Sequence, residues 1–447
     1  MTKTMSLPQA VLHALETLHN SGYEAYVVGG CVRDHLMGKI PHDYDICTSA
    51  MPCETIEVFS GYRTIETGLK HGTVTVLIGD TSLEITTFRT EGEYSDSRHP
   101  DTVDFVRSFR EDAARRDFTM NSIGYSPHIG IADHYNGVQD IQNKLIRAVG
   151  DPETRFKEDA LRILRALRFS AVTGFAIEQN TMLAIHKHSA DIHNVSSERV
   201  FSELTKLICG DYAASVIDEY FDVITQVLPE LAPMKDFQQH NPHHIYDVLH
   251  HTLKSLEAAP KDSILRWTIL FHDVGKPSCF SMDENGIGHF YRHAHVSYEI
   301  AGNILRRLRA SNNLIDRVST LIRHHDTPIE INRTTIKKRM ASLGEYVFFD
   351  LLQVMRADCR GLAPEYHYRL KEYDDIEYIA KEILAEAPCL TIRDLKISGN
   401  DLKQNGISPG PLMGRILNIL LNEVLDEKTT NEREALIKRA LEIEKTL

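Results

Sequence analysis

The chain has 447 residues, 42% hydrophobic and 25% charged, with a net charge of −13, enough for several cores and roughly three domains at ~150 residues each. No apolar run approaches the ~18 residues of a membrane span, and the segment MTKTMSLPQAVLHALETLHN lacks a signal-peptide core. Seven cysteines without a CxxC pair argue for reduced thiols over disulfides or a zinc knuckle, and the acidic balance excludes general nucleic-acid affinity, so an RNA partner needs local basic patches. A soluble, cytoplasmic protein with no membrane partner is expected, with monomer and homodimer both open.

Residues 8–20 space their apolar side chains as a helix does, and the chain then reads YVVGGCVRDHLMGKIPHDYDIC over residues 26–47. A strand should stop at Gly29-Gly30, a helix should carry Arg33 and Asp34, and a second extended step brings in Asp43 and Asp45. Backbone amides beside a Gly-Gly turn and a helix start suit phosphate. Two carboxylates alternating on an extended segment face one way and suit a hard divalent cation. Triphosphate with magnesium is the reading these residues carry by themselves. The runs TVTVLI and SLEITT, joined at Gly79-Asp80, predict a hairpin that adds strands beside the aspartates. Glu84 then faces either the same side, as a third acid, or solvent.

Residues 88–104, polar and without period, read as a long loop, either a functional lid or a plain connection. In ARRDFTMNSIGY, Arg115, Arg116 and Asp117 could hold phosphate or ribose, with Asn121 adding an amide, or form a surface ion-pair cluster. From about residue 136 the pattern is helix after helix. The stretch KEDALRILRALRF over residues 157–169 predicts one helix with Leu161, Leu164, Leu167 and Phe169 as its apolar set and Arg162, Arg165 and Arg168 recurring every third residue. Glu158 and Asp159 share a face with Arg162. Surface ion pairing, worth ~0.3–0.5 kcal/mol per pair, is one reading. The other is a protein template for a nucleobase, in which a carboxylate accepts from an exocyclic amine and a guanidinium donates to ring nitrogen or carbonyl oxygen.

Taken in order, GGCVRD with HDYD, GLKHGTVTV, EITTFRTEGEYSDSRHP, RRDFTMNSIGY, DHYNGVQDI, IRAVGDPETRF and EDALRILRALRF resemble the class II tRNA nucleotidyltransferases, the CCA-adding enzymes, over about residues 22–205. The resemblance implies an α+β chain. Its parts would be a nucleotidyltransferase head with a small mixed sheet (1–140), a helical neck (141–240), a body (241–365) and a helical tail (366–447). It implies that Asp43 and Asp45 hold two magnesium ions, with Glu84 left as the candidate third carboxylate that its strand alternation suggests, and that Gly29, Gly30, Arg33 and Asp34 bind triphosphate. Arg116, Asp117 and Asn121 would meet ribose and phosphates. Asp159 and Arg162 would pair with incoming CTP or ATP, Glu158 would orient Arg162, and Arg165 would join the nucleotide site. A flexible loop would use Arg89 and Arg98. GLKHGTVTV fits the CCA-adding pattern over bacterial poly(A) polymerases, and the segment Arg98-His99-Pro100 favours full CCA addition over CC-only or A-only addition. Two departures are visible: Asn136-Gly137 where the family often has Gly-Gly, and Ala160 where proline is common.

The second half carries another constellation: His251, the adjacent His272-Asp273, His293 and His295, His324-His325 and Asp358. Lone histidines are mostly surface or core residues, but an adjacent His-Asp pair flanked by histidines at helix starts resembles the HD superfamily of metal-dependent phosphohydrolases. The resemblance implies His251, His272, Asp273 and Asp358 as ligands for nickel, cobalt or manganese, with His295 and either His324 or His325 serving a second metal or phosphate. It also implies action on phosphate esters such as 2′,3′-cyclic phosphates. Against that stands a domain that only packs against tRNA, while the rivals to nucleotide addition are a phosphohydrolase whose head merely binds RNA and a tRNA-binding protein with a decayed site. The last conflicts with the intact Asp43/Asp45 pair. Gly361 to Pro364 and Ala387-Pro388 are candidate joints, and Ser408-Pro409-Gly410-Pro411 is either a phosphate-contacting turn or an interhelical loop.

Overall fold

The computed structural model describes residues 5–41, 43–92, 103–386 and 388–447. Arg98, with His99 and Pro100, and Ala387 lie outside the described residues. The chain divides into two units, one running to Pro229 and the other from Glu230.

The first unit begins with the helix Gln9–Asn20. Its strands are β1 (Ala25–Val28), β2 (Asp45–Thr48), β3 (Arg63–Ile65), β4 (Thr73–Ile78), β5 (Thr81–Thr87), β6 (Arg89–Glu91), β7 (Val103–Phe105), β8 (Gly124–Ser126) and β9 (Gly130–Ala132). Seven of them form one sheet in the order β3-β4-β5-β2-β1-β8-β9. The sheet is mixed because β2 runs parallel to β5 while its other neighbours are antiparallel. All four residues of β1 are buried, as a central strand requires. The β4–β5 hairpin closes with Ile78 opposite Thr81, and Gly79 takes φ 58° in the turn, where glycine carries no Cβ penalty. Of the hairpin's two strands only β5 lies beside β2; β4 is one strand further out.

Residues 88–104 are not one loop. β6 pairs antiparallel with β7, Arg89 opposite Phe105, and these short polar strands are stabilised by ladder bonds to each other, which leave no hydrophobic period to read.

The single helix expected over residues 157–169 is two. Pro152–Glu158 ends and Leu161–Thr173 begins, with Asp159 extended between them at φ −148°, ψ 101°. Ala160 has φ −62°, the value a proline ring imposes, and the extended residue before it is what proline requires. The family's frequent proline therefore fits this backbone. We expect Ala160→Pro to stabilise the unit by about 0.4–1 kcal/mol through the unfolded state, read as a raised denaturation midpoint at unchanged slope.

The other departure is also conformational. Asn136 sits in the left-handed region at φ 60°, which asparagine tolerates. A Cβ on Gly137 would fall 2.1 Å from the Thr119 carbonyl oxygen, so only the second glycine of the pair is sterically demanded. Beyond this point the unit is helical, apart from a parallel pair joining Leu145–Ile146 to Ala176–Ile177. The helix Ser197–Ile208 packs along Leu161–Thr173 through Val200, Leu204, Leu207 and Ile208.

The second unit is helical except for a two-stranded pair, Ser281–Met282 with Gly288–His289. Asp247, Asp262, Ser311 and Asn332 cap the helices Val248–Ala258, Ser263–Phe271, Asn312–His324 and Arg333–Leu343, each accepting from a first-turn N–H. The tail helices Gly399–Gln404, Pro411–Leu425 and Arg433–Glu444 close over Leu402, Ile416, Leu420, Leu436 and Ala440. Gly399 opens a helix behind a Ser398/Asp401 capping box. All seven cysteines are free thiols, as expected.

Candidate active site and a second candidate metal centre

A cleft of about 860 Å³ in the first unit gathers Gly29, Gly30, Arg33, Asp43, Asp45, Arg116, Asp117, Asn121, Asp159, Arg162 and Arg165, together with Arg89. Three further predicted residues stand behind or beside its wall: Asp34, Glu158 and Glu84.

Its floor is where β1 stops. Gly29 turns the chain at φ 73° into the helix Gly30–Leu36, and a side chain there would press towards the Arg116 guanidinium. On that helix Arg33 donates from Nε to Asp34 Oδ1 at 2.9 Å and from Nη1 to Asn121 Oδ1 at 2.9 Å. Asn121 in turn donates to Asp117 Oδ1 at 3.1 Å, and Arg165 Nε donates to Asp117 Oδ2 at 2.8 Å. Each member fixes the next, from the helix that follows β1 to the helix Leu161–Thr173. Burial would raise the Asp117 carboxyl, but Arg165, Asn121 and the Phe118 N–H hold it below the usual carboxylate range. Arg115 and Arg116 both bind Asp112, at 2.9 and 3.0 Å, so the surface-cluster reading fails: the carboxylate between them is fully buried.

Asp43 and Asp45 open into the cleft at the start of β2. Burial raises the Asp45 carboxyl, Arg116 pulls it back, and the Asp43 charge adds to the rise. Continuing the parallel register one step from the Ile46–Ile85 pair sets Glu84 alongside Asp45, with its side chain exposed. Arg89 sits on β6 and donates to the His71 carbonyl oxygen.

At the other end, Glu158 accepts from Arg162 Nη1 at 2.7 Å and from Arg155 at 2.7 Å, while Arg162 Nη2 donates to the Arg115 carbonyl at 3.1 Å. Asp159 projects from the helix break, where Oδ1 accepts from the Leu161 N–H at 3.1 Å and Oδ2 from Arg199 Nη2 at 2.7 Å. Phe169 lies in the same wall with the Arg168, Arg33 and Arg165 guanidinium carbons 4.0, 5.1 and 5.5 Å from its ring centre. Arg199 and Lys206 also line the cleft, and the carboxylate of buried Glu203 lies 3.0 Å from Arg168 Nε as an ion pair. Sequence reasoning missed all three. The spacing of 199, 203 and 206 on one helical face was the available signal.

In the second unit His251, His272, Asp273 and Asp358 come together as expected: His251 Nε2 is 2.9 Å from Asp358 Oδ1 and 3.4 Å from Asp273 Oδ2. One assignment needs correction. His295 points away and pairs with Glu299 at 3.3 Å, because two residues along a helix is about 200°; its neighbour His293 is the buried one in the centre. Of the alternatives His324 and His325, His325 is the one inside, 3.3 Å from His293 between Nε2 atoms. A cavity of about 410 Å³ opens onto Asp273, His293, His325 and Asp358, with Lys276, His244, Arg292 and Arg369 around it. Burial opposes charge on His272, but Asp273 and Asp358 prevail and push it up to about 10. Burial, Lys276 and His251 push His244 down to about 2. Asp273 has no well-formed hydrogen bond at either buried oxygen, although Lys276 Nζ lies 2.8 Å from Oδ2. Imidazoles with two carboxylates, of which the buried Asp273 is unsatisfied, fit a divalent transition metal.

Residues 25–147 match the family described as the poly A polymerase head domain. Residues 174–235 match a probable RNA- and SrmB-binding site of polymerase A, and residues 280–440 a tRNA nucleotidyltransferase domain 2. The CCA-adding enzyme of Leuconostoc citreum (strain KM20) is 36% identical over 447 residues, covering 99% of this chain and 98% of the relative. That of Latilactobacillus sakei subsp. sakei (strain 23K) is 33% identical over 434 residues, covering 96% of both. Among solved structures, the Bacillus stearothermophilus CCA-adding enzyme in complex with CTP superposes with a TM-score of 0.72 at 28% identity, over 99% of both chains. The Thermotoga maritima enzyme complexed with tRNA shares the fold, with a TM-score of 0.57 at 19% identity. The acid pair, the arginine-lined cleft and relatives spanning the full length agree: this chain belongs to the CCA-adding enzymes, the tRNA nucleotidyltransferases.

Proposed function

We propose that the chain completes tRNA 3′ ends in the cytoplasm, adding C, C and A from CTP and ATP at the head cleft. The observation that carries this is the joining of an acid pair and a base-reading pair, Asp159 with Arg162, in one cavity. The primer 3′-oxygen attacks the α-phosphorus in line and pyrophosphate leaves. Arg33 and Arg116, fixed by Asp34, Asn121 and Asp112, receive the triphosphate charge, and Asp117 with Asn121 sets the ribose position. Asp43 and Asp45, with Glu84 alongside, would hold magnesium, which supplies positive charge at the reacting oxygens. Two like charges in one cleft beside arginines already paired suit such an ion. Arg165 contributes by holding Asp117. Arg89, at the cleft wall, would act on the bound nucleotide together with Arg98.

Asp159 would accept from the exocyclic amine shared by cytosine and adenine, and Arg162 would donate to the ring. Uracil and guanine present carbonyl oxygens where Asp159 needs a donor. Arg199 fixes that carboxylate as Glu158 fixes Arg162. Arg199→Met is therefore expected to raise UTP and GTP misincorporation relative to CTP and ATP by about tenfold, the ~1–3 kcal/mol scale of one base contact, with Arg199→Lys intermediate. Single-nucleotide incorporation assays read it. Incubating transcripts that end before CCA with each nucleotide separately tests the overall reading: C, C and then A should be added, and CC-only or A-only products would refute full CCA addition.

A second reading concerns the other unit. Its His/Asp centre, with Lys276, Arg292 and Arg369 at the cavity, fits a metal-dependent phosphohydrolase acting on phosphate esters. A 2′,3′-cyclic AMP phosphodiesterase assay with nickel, cobalt or manganese tests it, and no turnover with any metal sinks it.

A further inference from the structure

We infer that the mouth of the second cavity carries a stacking platform for a nucleobase, built by His289 and Tyr291, so that the esters this centre takes are those of nucleosides. This assignment deepens the second reading and rests on it.

The platform starts from a tight hairpin. Ser281–Met282 pairs with Gly288–His289, and Asp283 closes the turn, its Oδ1 accepting from the Asn285 and Ile287 N–H groups at 2.9 Å each. The hairpin is pressed onto the segment before the helix Val248–Ala258. There the Gly288 N–H donates to the His240 carbonyl oxygen at 2.7 Å, and a Cβ on Gly288 would fall 2.1 Å from the Gln239 carbonyl oxygen. Glycine is required for that approach, and it gives the strand bearing His289 a fixed seat. His289 Nε2 donates to Asp283 Oδ2 at 2.9 Å, which holds the imidazole plane. Tyr291 lies against that plane, with the ring centres 5.3 Å apart and the planes 9° from parallel.

The chain then delivers these rings to the cavity. His289 and Tyr291 both line it, together with Asp273, His293, His325 and Asp358. Phe290 between them packs on Phe280, 5.6 Å between ring centres, and its carbonyl oxygen accepts from His293 Nδ1 at 2.9 Å. Arg292 takes a left-handed φ of 65°, and through that turn Tyr291 stands at the mouth while His293 is buried in the centre. A non-glycine residue adopts such a backbone rarely, and positions of this kind gather at ligand sites.

Exposure completes the case. Tyr291 is 72% exposed although it lines a cavity that also holds Lys276, Arg292 and Arg369. The cations suit a phosphate. A broad ring backed by a clamped imidazole suits a flat aromatic group, and the chemistry that joins a phosphate ester to such a group is a nucleoside's. Stacking tolerates base identity, because every base has a π face.

The test sets 2′,3′-cyclic AMP against glycerol 1,2-cyclic phosphate, which keeps a cyclic ester and lacks a base. Hydrolysis by the full chain is followed at steady state with nickel, cobalt or manganese. Tyr291→Ala is expected to raise KM for cyclic AMP about tenfold, the scale of one base on one aromatic ring, at nearly unchanged kcat. The glycerol ester should be unaffected. Tyr291→Phe should retain the nucleotide KM, Asp283→Asn should raise it less than Tyr291→Ala does, and 2′,3′-cyclic CMP should respond as cyclic AMP does. Thermal unfolding of each variant shows that it is folded. No turnover of either ester with any metal overturns both this assignment and the second reading. Turnover in which Tyr291→Ala leaves the cyclic AMP KM unchanged, or harms both esters equally, overturns the platform alone. So does an effect seen only with an RNA ending in a cyclic phosphate, which would put the ring on the RNA chain.

Discussion

Asp43→Ala is expected to reduce incorporation of CTP and ATP into tRNA lacking its terminus by at least about 10³-fold, some 4 kcal/mol of transition-state stabilisation. Asp43 and Asp45 open into the cleft that also contains Asp159 and Arg162. Among the described residues no other carboxylate with an unpaired oxygen lines it, since Asp117 is taken by Arg165 and Asn121, and Asp159 by Arg199. Glu84 stands beside Asp45 in register but is exposed, so Glu84→Gln should cost less than Asp43→Ala. The same Asp43→Ala chain should keep any cyclic phosphodiesterase activity of the second unit. Loss of both together would mean that the variant is misfolded or that the two units do not act separately. Retention of incorporation would favour a head that merely binds RNA.

Asp117→Ala is expected to destabilise the first unit by about 3 kcal/mol, the lower end of the cost of breaking a buried ion pair, because Arg165 is about a third exposed and is partly rehydrated. The substitution strands Arg165 and removes the acceptor that holds Asn121, and through it Arg33. Thermal or urea unfolding measures it. Triphosphate affinity should fall with it, whereas Ala160→Pro should move stability alone. The pH dependence follows from the carboxyl's depressed value. Its unfolded pKa is ~3.9, so on acidification the unfolded chain takes up the proton first. The stabilisation is complete above about pH 4 and is lost as pH falls through the folded value. Asp117→Asn should flatten that acid limb.

Much of the head was legible because it is local. The Gly29-Gly30 turn, the β4–β5 hairpin and the alternation of Asp43 with Asp45 follow from turn chemistry and a two-residue period, which operate over a few residues. The break at Asp159 was not legible, since Ala160 erases the proline that would have marked it, and KEDALRILRALRF otherwise keeps helical spacing throughout. The β6–β7 pair was missed because each strand's bonds go to a partner more than ten residues away.

By itself the sequence determined the chemistry on offer: an acid pair after a glycine turn, arginines at helical spacing, and a His-Asp pair among histidines. Only the tertiary structure decided which copies are used. His293 and not His295, and His325 and not His324, enter the second centre, because adjacent positions on a helix point about 100° apart and packing against Asp273 selects one face. Arg199 reaches Asp159 across 40 residues, a distance no period encodes. Local spacing sets what a side chain can do. The packing of one element on another sets what it does it to.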